Sequence, residues 1–297
     1  MRFTFLGTGT SAGVPAIGCD CRVCTSADPR DNRLRTGAAL EFVDALGQYR
    51  TILIDCTPDL RQQALRAGLR RCDAVIFTHN HVDHTFGVDE LRRFNIVQKA
   101  PIEVYAEAHV MDHLRRVYTH IFEQQHNINK SFVATLIPVL IEPTAAHPAG
   151  KPLDLFGVRF TPIRFLHGRL PILGFRIERA VNPPCKPGED TLLPLAYCTD
   201  VSAIPPESWR MFEGVRTLVL DALRHRPHPT HFTLADAVTA AAKIGAARTY
   251  FVHMSHDLGH AQTNAALPAG MALAHDGLSL GRVDIPKETA PDESGLD

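Results

Sequence analysis

The sequence predicts an α/β protein whose sheets are covered by helices, and three observations carry that expectation. Short β-rich runs bounded by Gly, Pro or Asp recur along the chain. Helical patterns alternate with only some of them, so no uniform strand-helix-strand period closes a barrel and no run of helices makes a bundle. The third is size and composition: 297 residues, 45% hydrophobic and 21% charged, are those of an ordinary globular chain with a large core. No stretch approaches the roughly 18–20 uninterrupted apolar residues of a bilayer span, so no membrane partner is expected. The 31 Lys+Arg and 32 Asp+Glu leave a net charge of −1, which draws the chain to neither nucleic acid nor an anionic membrane. No repeat of solenoid length is visible.

The elements follow in order. Phe3 to Leu6 forms a first strand that breaks at Gly7, and the N-terminus lacks the long apolar stretch of a signal peptide, so the chain reads as cytoplasmic. Further strands are expected at Thr51 to Asp55, Ala74 to Thr78, Ile102 to Tyr105, Arg159 to Leu166, Leu173 to Ile177, Leu195 to Thr199, Thr217 to Leu220 and Thr249 to His253. Helices are expected at Pro58 to Ala67, Asp89 to Gln98 and Ala108 to Gln125. The clearest is Leu234 to Ile244, with Thr233 as N-cap, Asp236 completing a T-x-x-D box and Gly245 as the stop. The region near 108–137 reads as a helical insertion that would lid a site or build a homodimer face. Asn182 to Pro194 reads as an exposed Pro/Gly-rich loop and 286–297 as a disordered tail. Length alone suggests about two domains at ~150 residues each; residues 1–285 nevertheless read as one, because the candidate site residues are spread over most of the chain.

Sixteen histidines tilt the composition toward a metalloprotein, and the densest group is informative. After the apolar run Ala74 to Thr78 comes His79-Asn80-His81-Val82-Asp83-His84. A turn at a strand end points His79 and His81 one way, while Asp83 and His84, entering a helix, point another. Two adjacent metal sites follow. Imidazole and carboxylate together suit Zn, Mn, Fe or Co. Three more residues repeat the construction of strand and then ligand: His167 after Phe160 to Leu166, Asp200 after Leu195 to Thr199, and His253 after Thr249 to Val252.

Thr78 to His84, followed in order by His167, Asp200 and His253, resembles the metallo-β-lactamase superfamily along nearly the whole chain. The resemblance implies a four-layer αββα sandwich. It also implies one metal held by His79, His81 and His167, the other by Asp83, His84 and His253, and Asp200 bridging the two. Asp55, closing Thr51 to Ile54, matches the superfamily's earlier supporting aspartate and is not a ligand. Two such ions ready a water for attack and stabilise both oxygens of an in-line displacement, so hydrolysis is expected.

Three of the seven cysteines crowd into Cys19-Asp20-Cys21-Arg22-Val23-Cys24, too close for a disulfide framework. Three thiolates want a fourth ligand to close a zinc tetrahedron, and His256, in His253-Met254-Ser255-His256, offers one. With the Gly-rich run Leu6 to Pro15, that pairing resembles the PhnP-type cyclic phosphodiesterases. The implied activity is hydrolysis of a small cyclic phosphodiester such as phosphoribosyl 1,2-cyclic phosphate, with two Mn or Zn ions at the centre beside one structural Zn. The loop Arg224 to Thr233 holds three histidines and two arginines attractive to phosphate. His231 is the family match for the residue that contacts the phosphate or protonates the leaving oxygen, and imidazole suits an acid near neutrality; His228 is the substitute and His225 the weaker candidate. Other hydrolases of the superfamily, acting on thioesters, lactams or RNA phosphodiesters, are the alternatives. A PqqB-like non-enzymatic carrier is another, but such carriers lack a full dinuclear set.

Overall fold

A computed structural model of the chain describes residues 1–128, 131–180 and 192–283. Its strands are β1 (Arg2–Gly7), β2 (Gly37–Val43), β3 (Tyr49–Ile54), β4 (Ala74–Ile76), β5 (Ile102–Ala106), β6 (Leu136–Leu140), β7 (Leu153–Leu155), β8 (Val158–His167), β9 (Leu170–Arg179), β10 (Leu195–Cys198), β11 (Thr217–Asp221), β12 (Arg248–Val252), β13 (Met271–Leu273) and β14 (Ser279–Gly281). Its helices are α1 (Leu60–Ala67), α2 (Val82–Thr85), α3 (Leu91–Gln98), α4 (Ala108–Val117), α5 (Thr119–Phe122), α6 (Leu234–Ile244) and α7 (His260–Ala266).

The strands form two seven-stranded sheets, in the orders β14-β1-β2-β3-β4-β5-β6 and β13-β12-β11-β10-β9-β8-β7. The inner faces meet in a layer of Phe3, Phe5, Ile52, Ile54, Phe160, Phe175, Tyr197 and Val219. Phe3 lies 6.1 Å from Tyr197 and Phe5 5.6 Å from Tyr250, centroid to centroid, across the gap. The outer face of the first sheet packs Leu53, Val75 and Val104 against Leu60, Leu91, Val110 and Leu114 of α1, α3 and α4. That of the second packs Leu218, Leu220 and Phe251 against Ala237 and Ala241 of α6. Both sheets are apolar on both faces because both are covered, and each fully buried Leu or Phe there contributes about 1.5–3 kcal/mol. The result is the αββα sandwich that the sequence led us to expect.

Local signals set the details. α6 carries the predicted capping box: Thr233 Oγ1 accepts from Asp236 N at 3.1 Å and Asp236 accepts from Thr233 N at 3.2 Å. It ends on Gly245 in the left-handed region at φ 71°. β1 must end on glycine, because a Cβ at Gly7 would lie 1.9 Å from the Arg35 carbonyl oxygen. The helical reading of Ala108 to Gln125 breaks at Tyr118, where α4 gives way to α5. The proposed insertion near 108–137 also overruns a strand, since Leu136–Leu140 pairs parallel with β5 as the edge of the first sheet. α4 is part of the outer layer, with Val110, Met111 and Leu114 buried. The expected loop Asn182 to Pro194 falls mostly outside the described residues, and its described part departs from exposure, with Leu192 and Leu193 buried in the inter-sheet layer. The expected tail at 286–297 lies outside the described residues. Among the described residues, no helix is long and apolar enough to cross a membrane.

Candidate metal centre

β3 and β4 run parallel in the first sheet, as do β10, β11 and β12 in the second, and β8 shares their direction because two antiparallel steps separate it from β10. Their carboxyl ends gather along one edge of the sandwich, where α/β folds commonly place sites. The turn off three strands is sharp. Asp55 (φ 64°), Asp200 (φ 58°) and His253 (φ 59°) all adopt the left-handed backbone that non-glycine residues rarely take, at about 1–3 kcal/mol each. Strain of this kind, repeated on one edge, marks a place the fold holds for chemistry.

Two sets of donor atoms converge there: His79, His81, His167 and Asp200 form one, Asp83, His84, Asp200 and His253 the other, each set with its atoms within 4.8 Å of one another. Asp200 belongs to both. Its Oδ1 lies 3.3 Å from His84 Nε2, and its Oδ2 lies 3.3 Å from His253 Nε2 and 3.8 Å from His79 Nε2. Asp83 Oδ2 lies 3.4 Å from His84 Nε2 and 3.6 Å from His253 Nε2. A tetrahedron with bonds of about 2.0–2.1 Å has edges of about 3.4 Å, so the donors sit at ligand-to-ligand spacing.

Three of the other ring nitrogens are already engaged. His84 Nδ1 is 2.8 Å from Asp55 Oδ2, His79 Nδ1 is 3.0 Å from Thr78 Oγ1, and His167 donates from Nδ1 to the Thr230 carbonyl at 2.7 Å. That arrangement turns each Nε2 toward the centre. The buried Nε2 atoms of His79, His84 and His253 have no hydrogen-bond partner among the described residues, which a buried polar atom tolerates only when something else satisfies it. A divalent cation fits that set. Asp55 also accepts from Thr78 N at 2.8 Å, so it braces both the strand end and His84 without facing the centre. Asp55→Asn is therefore expected to weaken metal retention about 10- to 100-fold with the fold kept, measured by dialysis against a chelator followed by elemental analysis.

The electrostatics follow from crowding. Burial pulls the His79 and His81 imidazoles down, helped by neighbouring histidines. Burial acts the same way on His84, but Asp200, Asp55 and Asp83 outweigh it and hold that ring well above the ordinary histidine range. Asp200 is held well below the usual carboxylate range despite complete burial, because His253 and His84 face it.

Beside this centre stands His231, its ring 4.6 Å from His167 and stacked on His253 at 4.7 Å with 14° between planes. Sequence reasoning expected a proton donor near neutrality, whereas burial and then His253 push this ring down to about 4. It rests as a neutral imidazole. Its Nδ1 is 3.2 Å from Oδ1 of Asp221, a fully buried carboxylate at the end of β11 that also accepts from Phe232 N at 3.1 Å and lies 3.6 Å from His253 Nδ1. Donor atoms of Asp221, His231 and His253 converge as well, but His253 is shared with the second metal set, and Asp221 hydrogen-bonds the His231 ring alone, with His253 Nδ1 beyond hydrogen-bond distance. Asp221 was missed in the sequence, although it repeats the signal of an acid closing an apolar strand. The loop arginines are less available than expected, since Arg224 donates to the carbonyls of Arg226 and Pro227, and Arg226 reaches Asp257. His228 lies 5.2 Å from His231, while His225 is exposed.

The cysteine cluster closes as a second centre. His256 Nδ1 is 3.2 Å from Cys19 Sγ, 3.5 Å from Cys21 Sγ and 3.3 Å from Cys24 Sγ, near the edge of about 3.6 Å that zinc bonds of ~2.3 and ~2.1 Å would give. None of the six described cysteines forms a disulfide.

These features define a class. The β-lactamase superfamily domain matches residues 50–254, and the chain belongs to that superfamily. It has the metallo-β-lactamase fold, with donor sets suited to divalent metal ions at one edge. Within it, the chain is similar to a crystal structure of a diphosphatase from the PhnP family, 41% identical over 94% of this chain and 97% of that one, with a TM-score of 0.78. It is also 37% identical, over 94% of its length, to an octanoyltransferase of Porphyromonas gingivalis, but spans only 51% of that protein. The coenzyme PQQ synthesis protein B of Methylobacterium radiotolerans is 26% identical over 94% of this chain and 99% of its own.

Proposed function

We propose that the chain hydrolyses a small phosphodiester of the phosphoribosyl 1,2-cyclic phosphate type, in the cytoplasm, where the Cys19, Cys21 and Cys24 thiols stay reduced. The observation that carries the reading is His231, an imidazole outside both ligand sets that touches a ligand of each and is held from behind by Asp221. A thioester or lactam hydrolase has no need of it.

Two manganese or zinc ions held by His79, His81, Asp83, His84, His167, Asp200 and His253 would supply Lewis acidity to the phosphoryl oxygens and to an attacking water. The chain's own residues do the rest. Asp221 fixes the His231 ring by its Nδ1, leaving Nε2 to meet a phosphoryl or leaving oxygen. An anionic substrate beside the ring raises its proton affinity from the depressed resting state, so the ring takes up a proton on binding that it can give to the leaving oxygen. The PhnP-family likeness supports P–O chemistry. The transferase name attaches to a polypeptide about twice this length and does not select the chemistry of this half. Against a PqqB-like carrier stands the complete set of ligands.

The test is a panel of phosphoribosyl 1,2-cyclic phosphate, bis(p-nitrophenyl) phosphate, a dinucleoside diphosphate and a thioester, with metal-loaded protein. Turnover of the diesters is expected; thioester turnover without diester turnover overturns the reading. His231→Ala should lower kcat about 100-fold with metal content intact, and unchanged turnover would remove His231 from the reaction. Asp221→Asn should reduce turnover about 10- to 100-fold, through the orientation of His231.

A further inference from the structure

β8 and β9 are joined by the tight turn Gly168-Arg169, so His167 is the last residue of one strand and pairs with Leu170, the first of the next. A ligand on so short a turn is placed only as well as the turn is held. Its ring is fixed at one point, Nδ1 donating to the Thr230 carbonyl at 2.7 Å. Its backbone is fixed from the loop after β10, the loop that carries Asp200. There the Ser202 hydroxyl donates to Leu166 O at 2.8 Å and accepts from Gly168 N at 2.8 Å, so it grips the chain on both sides of the ligand.

The two bonds differ in what stands behind them. Leu166 O also accepts from the backbone N–H groups of Ser202 at 2.8 Å and Ala203 at 3.3 Å, whereas the Gly168 N–H is met by the hydroxyl. The side chain of Ser202 is therefore what ties the far side of His167 to the Asp200 loop. Asp200 does not depend on Ser202 in return, because β10 is paired on both sides and Thr199 Oγ1 donates to Asp200 Oδ1 at 2.7 Å. His167 belongs to the first donor set alone, and Asp83, His84 and His253 of the second stand on other elements. Loss of the hydroxyl should fall on one ion and spare its neighbour.

We infer that Ser202 is a positioning residue of the metal centre: its hydroxyl sets His167 against Asp200 and thereby fixes the affinity for the ion held by His79, His81 and His167. The inference rests on the two-ion reading of the centre and is independent of which ester is cleaved. The test is cobalt titration, followed by visible absorption and by competition with a chromophoric chelator, into protein whose cysteine cluster keeps its zinc. The unaltered protein should take up two equivalents. Ser202→Ala should bind one of them about 10- to 100-fold more weakly, the scale for a residue that supports a ligand, and the other as before. Ser202→Thr keeps the hydroxyl, and its added methyl has the cavity of about 540 Å³ that this residue lines, so it should restore the weakened equivalent. In His167→Ala, where the ligand itself is gone, Ser202→Ala should change the affinities no further, because the two residues act as one unit. A merely structural role would weaken both equivalents together and would add to the effect of His167→Ala. Either of those results, two undisturbed equivalents in Ser202→Ala, or no recovery in Ser202→Thr overturns the inference while the two-ion centre stands. Fewer than two equivalents in the unaltered protein overturns the two-ion reading and this inference with it.

Discussion

Asp200→Ala is expected to release metal from both halves of the centre and to lower diester turnover on the order of a thousandfold or more, beyond the 10- to 100-fold of changes to residues that only support a ligand. The reason is position. One carboxylate, 1% exposed, stands within 3.3–3.8 Å of the Nε2 atoms of His79, His84 and His253, and it is the only member common to the two sets. Without it, imidazoles from both sheets face one another across a buried space with less negative charge to hold cations. Asp200→Asn separates this from a folding failure, because asparagine also tolerates the left-handed backbone at this turn and has the same size. Its neutral amide should lose metal too, while circular dichroism and the unfolding transition stay close to those of the unaltered protein. Full metal content in a folded Asp200→Asn protein would show that the residue bridges nothing.

The sequence disclosed the strands that end in ligands more readily than the strands that only build the sheet. Wherever an apolar run stopped at His, Asp or a dense His/Asp group, the strand and its edge position could be read together, and the structure brings His79, His84, Asp200 and His253 to one place. β2 was invisible because Gly37, Ala38 and Ala39 carry little β signal; their small side chains let this central strand sit buried on both faces. β6 was absorbed into a helical reading because it contains Pro138, and a proline is tolerated there only because the strand is an edge with β5 on one side. Asp221 escaped for a different reason: its partner His231 lies ten residues on, past a proline-rich loop, so only three-dimensional contact shows the pair. Arg33 escaped for the same reason. It is a buried cation, 1% exposed, whose value lies in contacts with carbonyls more than two hundred residues away.

Those contacts bear on the other large effect. Cys21→Ser is expected to remove one zinc equivalent and to lower the unfolding temperature by about 10 °C, since binding at a closed zinc site is folding free energy and a domain of this size shifts by about 2–4 °C per kcal/mol. The cluster joins two distant segments, the N-terminal loop with Cys19, Cys21 and Cys24 and the segment His253 to His256. The same segments are joined nearby by protein bonds alone. Arg33 donates to the carbonyls of Ser255 and Leu258 while paired with Asp31, Met254 N donates to Thr8 O at 2.9 Å, and Thr10 N donates to Met254 O at 3.1 Å. These bonds hold His253 on the side facing the dinuclear centre, so turnover at low temperature should fall much less than in Asp200→Ala. Asp200→Asn and Cys21→Ser therefore separate the two centres, one losing activity and metal with its fold kept, the other losing stability and zinc with much of its activity kept. A Cys21→Ser protein with undiminished zinc and an unshifted transition would mean that the three thiols hold no structural ion.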